Sequence, residues 1–204
     1  MSRLLLIRHG RTKLHKDNRF WGNTDVPLSE TGIRQAGQLR ERLAAEKISA
    51  VYASTLSRAL TTAEIIAAPH RRSVTTCPEL RECNFGYIEG LTYPEIKRVY
   101  PALARELNDG TAVSFPGGEN IEQLNKRVAT FTQRLADHKA KDTIAIVAHG
   151  GPLRLLICSL LGLEQKHWIQ LRIDLAALSI VETYPGTAIL NLLNDTSFLT
   201  PEED

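Results

Sequence analysis

Leu4-Leu5-Leu6-Ile7-Arg8-His9-Gly10 is an unbroken aliphatic run that ends in a cation, an imidazole and a glycine. Much later, Ile144-Ala145-Ile146-Val147-Ala148-His149-Gly150-Gly151 repeats the pattern. Short apolar runs without polar alternation are what strands buried on both faces require. A third run spans 50–53, and a helical pattern follows each of the three. This alternation predicts an α/β fold in which a largely parallel sheet is covered by helices on both faces.

The helical segments carry their own punctuation. Ser29 reads as the N-cap of a first helix whose stripe Ile33, Ala36, Leu39 and Leu43 is expected to face the core. Residues 57–67 predict a second helix, directly after the 50–53 strand, with Arg58 in its first turn and an end ahead of Pro69. Thr92-x-x-Glu95 has the form of a capping box. Residues 119–138 place Ile121, Leu124, Val128, Phe131 and Leu135 at helical spacing, and the stretch before them reads as irregular. Residues 151–161 predict a buried helix, while 178–184 and 188–193 flank Pro185-Gly186 as a hairpin does.

A length of 204 residues suits a single domain over 1–204 with a core that needs no disulfide or metal support. Lys and Arg total 25 against 23 Asp and Glu, too small an excess to predict nucleic-acid or membrane binding, so an anionic substrate needs a local basic site. The cysteines, Cys77, Cys83 and Cys158, are odd in number and form no CxxC pair, which fits a reducing compartment. The run 4–7 is far shorter than a signal-peptide core, and no stretch reaches the length of a membrane span; the expected location is the cytoplasm. Features that would define an oligomer are not legible.

Both His-Gly corners end buried strands, and open α/β sheets bind ligands outside the carboxyl ends of their strands. His9, His149 and Arg58 are therefore expected to converge on one cationic site. Gly10 and Gly150 let the backbone turn tightly and approach a ligand, and amides at a following helix start donate well to phosphate oxygens. Arg8 and Arg58 grip phosphate in fork geometry. A lone histidine at a strand end is usually structural; the pair in matching contexts points to phosphate. HExxH, Walker A and clustered Cys/His ligand patterns do not occur in the sequence.

Arg8-His9-Gly10-Arg11-Thr12 resembles the RHG-x-T signature of the histidine phosphatase superfamily, which includes cofactor-dependent phosphoglycerate mutases. Further matches follow in order: Asn18-Arg19-Phe20 with Trp21-Gly22, Pro27-Leu28-Ser29 with Thr31-Gly32, Ser54-x-Leu56-x-Arg58-Ala59-x-x-Thr62, Leu80-x-Glu82-x-x-x-Gly86-x-x-Glu89-Gly90, and Val147-Ala148-His149-Gly150-Gly151. The resemblance covers nearly the whole chain. It implies a three-layer α/β/α sandwich whose mostly parallel central sheet has one antiparallel edge strand. It also implies that His9 attacks phosphorus, that Arg8, Arg58 and His149 hold the transferring oxygens, and that Glu82 is the proton donor. Thr12 stands at the family's hydroxyl position, and His15 replaces an asparagine that reaches phosphate; both are candidate phosphate contacts together with Gly10 and Gly150. No metal and no cofactor is required by this scheme. Phe20 and Trp21 line the substrate mouth or simply pack, and Glu119 of Pro116-Gly117-Gly118-Glu119 either approaches the site or initiates a helix.

The resemblance favours the phosphatase branch. Glu82-Cys83-Asn84-Phe85-Gly86 stands where mutases have Glu-Arg-x-Tyr-Gly, and the PGGE element fits phosphatases. The expected partner is a small phosphorylated metabolite, with α-ribazole phosphatase and broad-specificity or sugar-phosphate enzymes as the closest look. A phosphoglycerate mutase is the runner-up. A phosphoryl-binding regulatory module without turnover is the third reading, and the retention of both His9 and Glu82 argues against it.

Overall fold

The computed structural model describes residues 2–14, 19–109 and 113–200. In it the two runs that end in histidine lie side by side: β1 (Ser2–Arg8) pairs in parallel with β4 (Thr143–Ala148), Leu4 opposite Ile144 and Arg8 opposite Ala148. Every residue of β4 is buried, which explains its lack of polar alternation. β2 (Ile48–Ser54) joins the far side of β4, β3 (Val74–Cys77) lies beyond it, and the order is β3-β2-β4-β1-β5-β6. β5 (Leu178–Tyr184) runs antiparallel to β1, and β6 (Thr187–Asp195) returns along β5. The sheet is thus mostly parallel, and its antiparallel edge is the hairpin that Pro185-Gly186 signals.

Strand pleating splits the core into two layers. Leu4, Leu6, Ile144 and Ile146 join Leu124, Val128 and Phe131 of α5 (Ile121–Leu135) and Leu153 and Leu156 of α6 (Gly150–Leu161). Leu5, Ile7, Ala145 and Val147 join Leu39 of α1 (Glu30–Arg42) and Ala59, Ala63 and Ile66 of α2 (Ser57–Ala67). Burying each large aliphatic side chain contributes about 1.5–3 kcal/mol.

Ser29 caps α1 by accepting from the Gly32 amide at 3.1 Å. The inward face differs from the expected stripe. Gly32, Ala36, Leu39 and Leu43 are buried, whereas Ile33 is 50% exposed. The helix start packs so closely on Arg11 that a Cβ at residue 32 would stand 2.0 Å from the Arg11 carbonyl oxygen. This contact turns the Gly32 side of the helix inward and leaves Ile33 at the margin.

The Thr92 capping box forms and starts α3 (Tyr93–Val99). The stretch expected to be irregular contains a further helix, α4 (Pro101–Asp109), whose inward side is the short set Leu103, Ala104 and Leu107, barely one turn of apolar spacing. β3 also has no counterpart in the sequence reading, because its short Val-Thr-Thr-Cys run lies at a sheet edge and half exposes its residues. Among the described residues no helix is long and apolar enough to cross a membrane.

Candidate active site

His9 follows β1 directly and His149 follows β4, so the parallel register of those strands brings two imidazoles together across 140 positions of sequence. Their ring centroids lie 4.9 Å apart at an interplanar angle of 60°. His9 Nδ1 is 2.7 Å from the Gly10 carbonyl oxygen. A carbonyl only accepts, so Nδ1 carries the proton and Nε2 is the basic nitrogen. His149 is fully buried, and its Nε2 meets Ser54 Oγ at 2.8 Å. Ser54 Oγ also accepts from the Leu56 amide at 3.3 Å, and its one hydroxyl proton can be donated to an unprotonated Nε2. His149 Nδ1, the other ring nitrogen, is buried with no protein partner among the described residues. Burial, followed by the nearby His9, Arg58 and Arg8, holds the His149 pKa well below the ordinary imidazole range. At neutral pH it is therefore uncharged.

Arg58 rises from the first turn of α2 and is 2% exposed. Its Nη1 donates to the Thr24 carbonyl at 2.9 Å and its Nη2 to the Gly22 carbonyl at 2.6 Å. That loop is pinned by Glu89, whose carboxylate accepts from the amides of Asn23 at 2.6 Å and Thr24 at 2.8 Å. Glu89 stands out in the sequence only as part of a motif; the fold shows that it sets the frame for Arg58. Arg8 Nη1 donates to the Ile173 carbonyl at 2.6 Å, and its Nε is buried with no protein partner among the described residues. Burial lowers the pKa of both guanidinium groups, Glu82 opposes the shift, and both remain charged.

Backbone amides play a smaller part here than the sequence suggests. The Gly10 amide donates to Thr62 Oγ1 at 3.3 Å, the Arg11 amide to Gln35 Oε1 at 2.9 Å, and the Gly151 amide to the Glu82 carboxylate. The reason is topological: β1 leads into a loop, and α1 begins only at Glu30. Side-chain cations and the His9 imidazole, rather than these three amides, face the pocket, with His149 buried behind His9.

Glu82 is 8% exposed, and its carboxylate, carried on the loop after residues 78–80, rests against the N-terminus of α6. Its Oε1 accepts from the Cys83 amide at 2.9 Å, and the Gly151 amide lies 3.2 Å and 3.3 Å from its two oxygens. A Cβ at residue 151 would stand 2.5 Å from Oε1, so glycine there makes room for the carboxylate. The acid loop is gripped from behind by Arg127 of α5, which donates to the carbonyls of Glu79 at 2.8 Å, Arg81 at 2.6 Å and Glu82 at 3.0 Å. The same guanidinium binds both oxygens of Glu119, at 2.7 Å and 2.9 Å. Glu119 also accepts from the Asn84 amide at 2.8 Å. Burial opposes its ionisation, but these hydrogen bonds prevail and hold its pKa below the usual carboxylate value.

Glu119 therefore neither contacts the pocket nor caps the helix; Asn120 is the N-cap of α5, and Glu119 braces the acid loop. The Pro-Gly-Gly element before it has a matching explanation. A Cβ at residue 118 would lie 2.1 Å from the Asn84 oxygen and one at residue 86 would lie 2.2 Å from the Pro116 oxygen, so two backbone segments cross in contact. Arg127 escapes the sequence reading because it looks like an ordinary helix charge beside the apolar stripe. Arg127→Met is expected to destabilise the fold by roughly 1–3 kcal/mol by leaving carbonyls unpaired and to lower kcat roughly tenfold or more by loosening Glu82. Urea denaturation and steady-state kinetics measure the two effects, and unchanged kcat would refute the brace.

Arg8, His9, Thr12, Arg58, Glu82 and Gly150 line one pocket of about 500 Å³. Thr12 is buried in its wall, and Phe20 and Trp21 line it as well. His15 lies outside the described residues. Arg19 and Arg154 add cations that the sequence reading passed over, Arg154 being tied by Nε to the Leu171 carbonyl at 2.7 Å. Cys83 also borders the pocket, but burial pushes its thiol pKa up and keeps it protonated. Among the described residues no three His, Cys, Asp or Glu side chains gather as a metal-ligand set.

The family model described as the histidine phosphatase superfamily (branch 1) matches residues 4–196. A bifunctional protein of Mycobacterium tuberculosis is 35% identical over 200 residues, which cover 97% of this chain and 55% of the relative. The chain thus spans about half the length of that relative. A probable phosphoglycerate mutase of Proteus mirabilis is 32% identical over 206 residues, covering 98% of this chain and 96% of the relative. Among solved structures, the α-ribazole phosphatase of Shigella flexneri matches with a TM-score of 0.87 at 30% identity, covering 99% of this chain and 100% of that one.

Proposed function

The chain belongs to the histidine phosphatase superfamily (branch 1), and from that premise we propose that it is a metal-independent phosphomonoester hydrolase acting through phosphohistidine. One observation carries the reading: the tautomer-fixed imidazole of His9 shares a pocket with Arg8, Arg58 and Glu82, 4.9 Å from the ring of a neutral His149. His9 Nε2 attacks phosphorus, the P–O bond to the alcohol breaks, and the leaving oxygen takes the proton of Glu82. Arg8, Arg58 and His149 Nδ1–H hold the phosphoryl oxygens; with positioning and positive charge supplied, a loose phosphoryl-transfer transition state asks for little more. The ionised Glu82 then draws a proton from water as that water attacks phosphohistidine, which releases phosphate and restores both groups.

The substrate in this proposal is a small phosphorylated metabolite, α-ribazole 5'-phosphate or a sugar phosphate. The mutase name of the Proteus mirabilis relative keeps phosphoglycerate mutase as the second reading. Buried, unpaired Cys77, Cys83 and Cys158 support a reducing, cytoplasmic setting. A panel of metabolite phosphates, run with and without EDTA and including 2-phosphoglycerate, tests the whole scheme. The expected result is free phosphate at a rate the chelator leaves unchanged. Loss of activity with EDTA and its return with added metal would refute metal independence, and conversion of 2-phosphoglycerate to 3-phosphoglycerate without free phosphate would make the chain a mutase.

A further inference from the structure

Away from its cations, the pocket is walled by aromatic rings interleaved with aliphatic side chains. Phe20, Phe85 and Phe115 all line it and touch edge to face, with centroids 5.5 Å apart between the first two and 4.9 Å between the last two. Trp168, on a short 3-10 turn over Gln165–Gln170, adds another ring. That turn is held in place by Arg154, which bonds to the Leu171 carbonyl and sets its guanidinium carbon 5.9 Å from the Trp168 ring centre. Aliphatic Leu124 fills the wall near Glu82, where it packs against residue 151.

Phe20, Phe85 and Trp168 are only partly buried although each packs on the core. Apolar surface that faces a concave, water-accessible space is covered favourably by an apolar ligand and poorly by a polar one. A sugar hydroxyl facing this apolar wall, rather than Arg19 or Arg154, would lose water without gaining a hydrogen bond, and binding would be weakened for each group left unpaired. The indole N–H of Trp21 does not relieve this, since it already donates to the Leu14 carbonyl at 3.1 Å. The pocket volume of about 500 Å³ lies in the range of sites that enclose a ring-bearing ligand rather than phosphate alone.

We propose that the alcohol released by this enzyme carries an aromatic or heteroaromatic ring seated against the Phe20–Phe85–Phe115 and Trp168 walls, which selects such phosphomonoesters over sugar phosphates. This rests on the phosphatase reading above and narrows it. The test compares 2-phenylethyl phosphate with 2-hydroxyethyl phosphate, two primary alkyl esters whose leaving alcohols have similar basicity. The kcat/KM ratio then reports recognition of the ring rather than ease of P–O cleavage.

The ratio is expected to favour the phenyl ester by roughly tenfold or more. It should fall several-fold toward one in Trp168→Ala and in Phe20→Ala. Because both esters are assayed on one preparation, the ratio does not depend on how much of a variant is folded. Hydrolysis of both esters at similar kcat/KM, or a ratio that neither variant moves, would overturn the ring-binding wall and leave the phosphatase reading standing. Release of phosphate from neither ester would refute the phosphatase reading and this inference together.

Discussion

His9→Ala is expected to lower phosphate release by on the order of 10⁴-fold or more, because the reaction loses its nucleophile rather than a contact that helps one. The position carries that demand because its chemistry is prepared before substrate arrives: the Gly10 carbonyl holds the proton on Nδ1 and thereby fixes Nε2 as the attacking nitrogen. Arg8, Arg58 and His149 survive the substitution, so inorganic phosphate should still bind within about an order of magnitude of the wild-type affinity, read by calorimetric titration. Covalent labelling separates loss of chemistry from loss of binding. Wild-type enzyme quenched during turnover of a radiolabelled ester should carry an acid-labile, base-stable phosphoryl group, and His9→Ala should carry none. Substantial turnover by this variant would end the phosphohistidine scheme.

The second large effect is expected at Glu82. Glu82→Gln preserves the shape of the side chain and removes its acid, so turnover of alkyl phosphates should fall on the order of 10²- to 10⁴-fold. An aryl ester such as p-nitrophenyl phosphate, whose leaving group needs no proton, should suffer far less in its first step. With that ester the variant should show a burst followed by slow turnover, since the water that hydrolyses phosphohistidine has lost its base. Arg127 and the Cys83 amide still hold the loop, so the melting temperature should barely move. Equal losses for alkyl and aryl esters would assign Glu82 to positioning instead of proton transfer.

Much of this site is legible along the chain, but unevenly. His9, Arg58, Glu82 and His149 lie in local patterns, and the pocket gathers three of them, His9, Arg58 and Glu82, with His149 beside His9. What holds them is not legible in the same way. Glu89 and Ser54 lie in motifs that do not say what they do, and Arg127 lies in none. Yet Glu89 acts on Arg58 through a loop, Arg127 on Glu82 through carbonyl oxygens, and Ser54 meets His149. None of these side chains differs in kind from an ordinary surface or strand residue. Glu89 and Arg127 act through backbone groups 45 to 66 positions away and Ser54 through a ring 95 positions away, contacts that no local spacing reveals. The Glu119 brace shows the same limit, since a carboxylate before a helix looks like an initiator until Arg127 is seen across from it.

By itself the sequence determined the layer architecture and the kind of chemistry. Buried strands, capping boxes and a Pro-Gly hairpin follow from the geometry of neighbouring residues, so periods and turn residues announce them. The tertiary structure decided which groups meet: the β1–β4 register sets His9 beside His149, backbone contact turns Gly32 inward in place of Ile33, and Glu82 occupies an amide that might otherwise have served phosphate. It also decided that aromatic rings and aliphatic side chains close the rest of the pocket. Such meetings depend on strand order and on close approach between distant backbones, where one ångström separates contact from clash, and that information is spread over the whole fold rather than written in any segment of it.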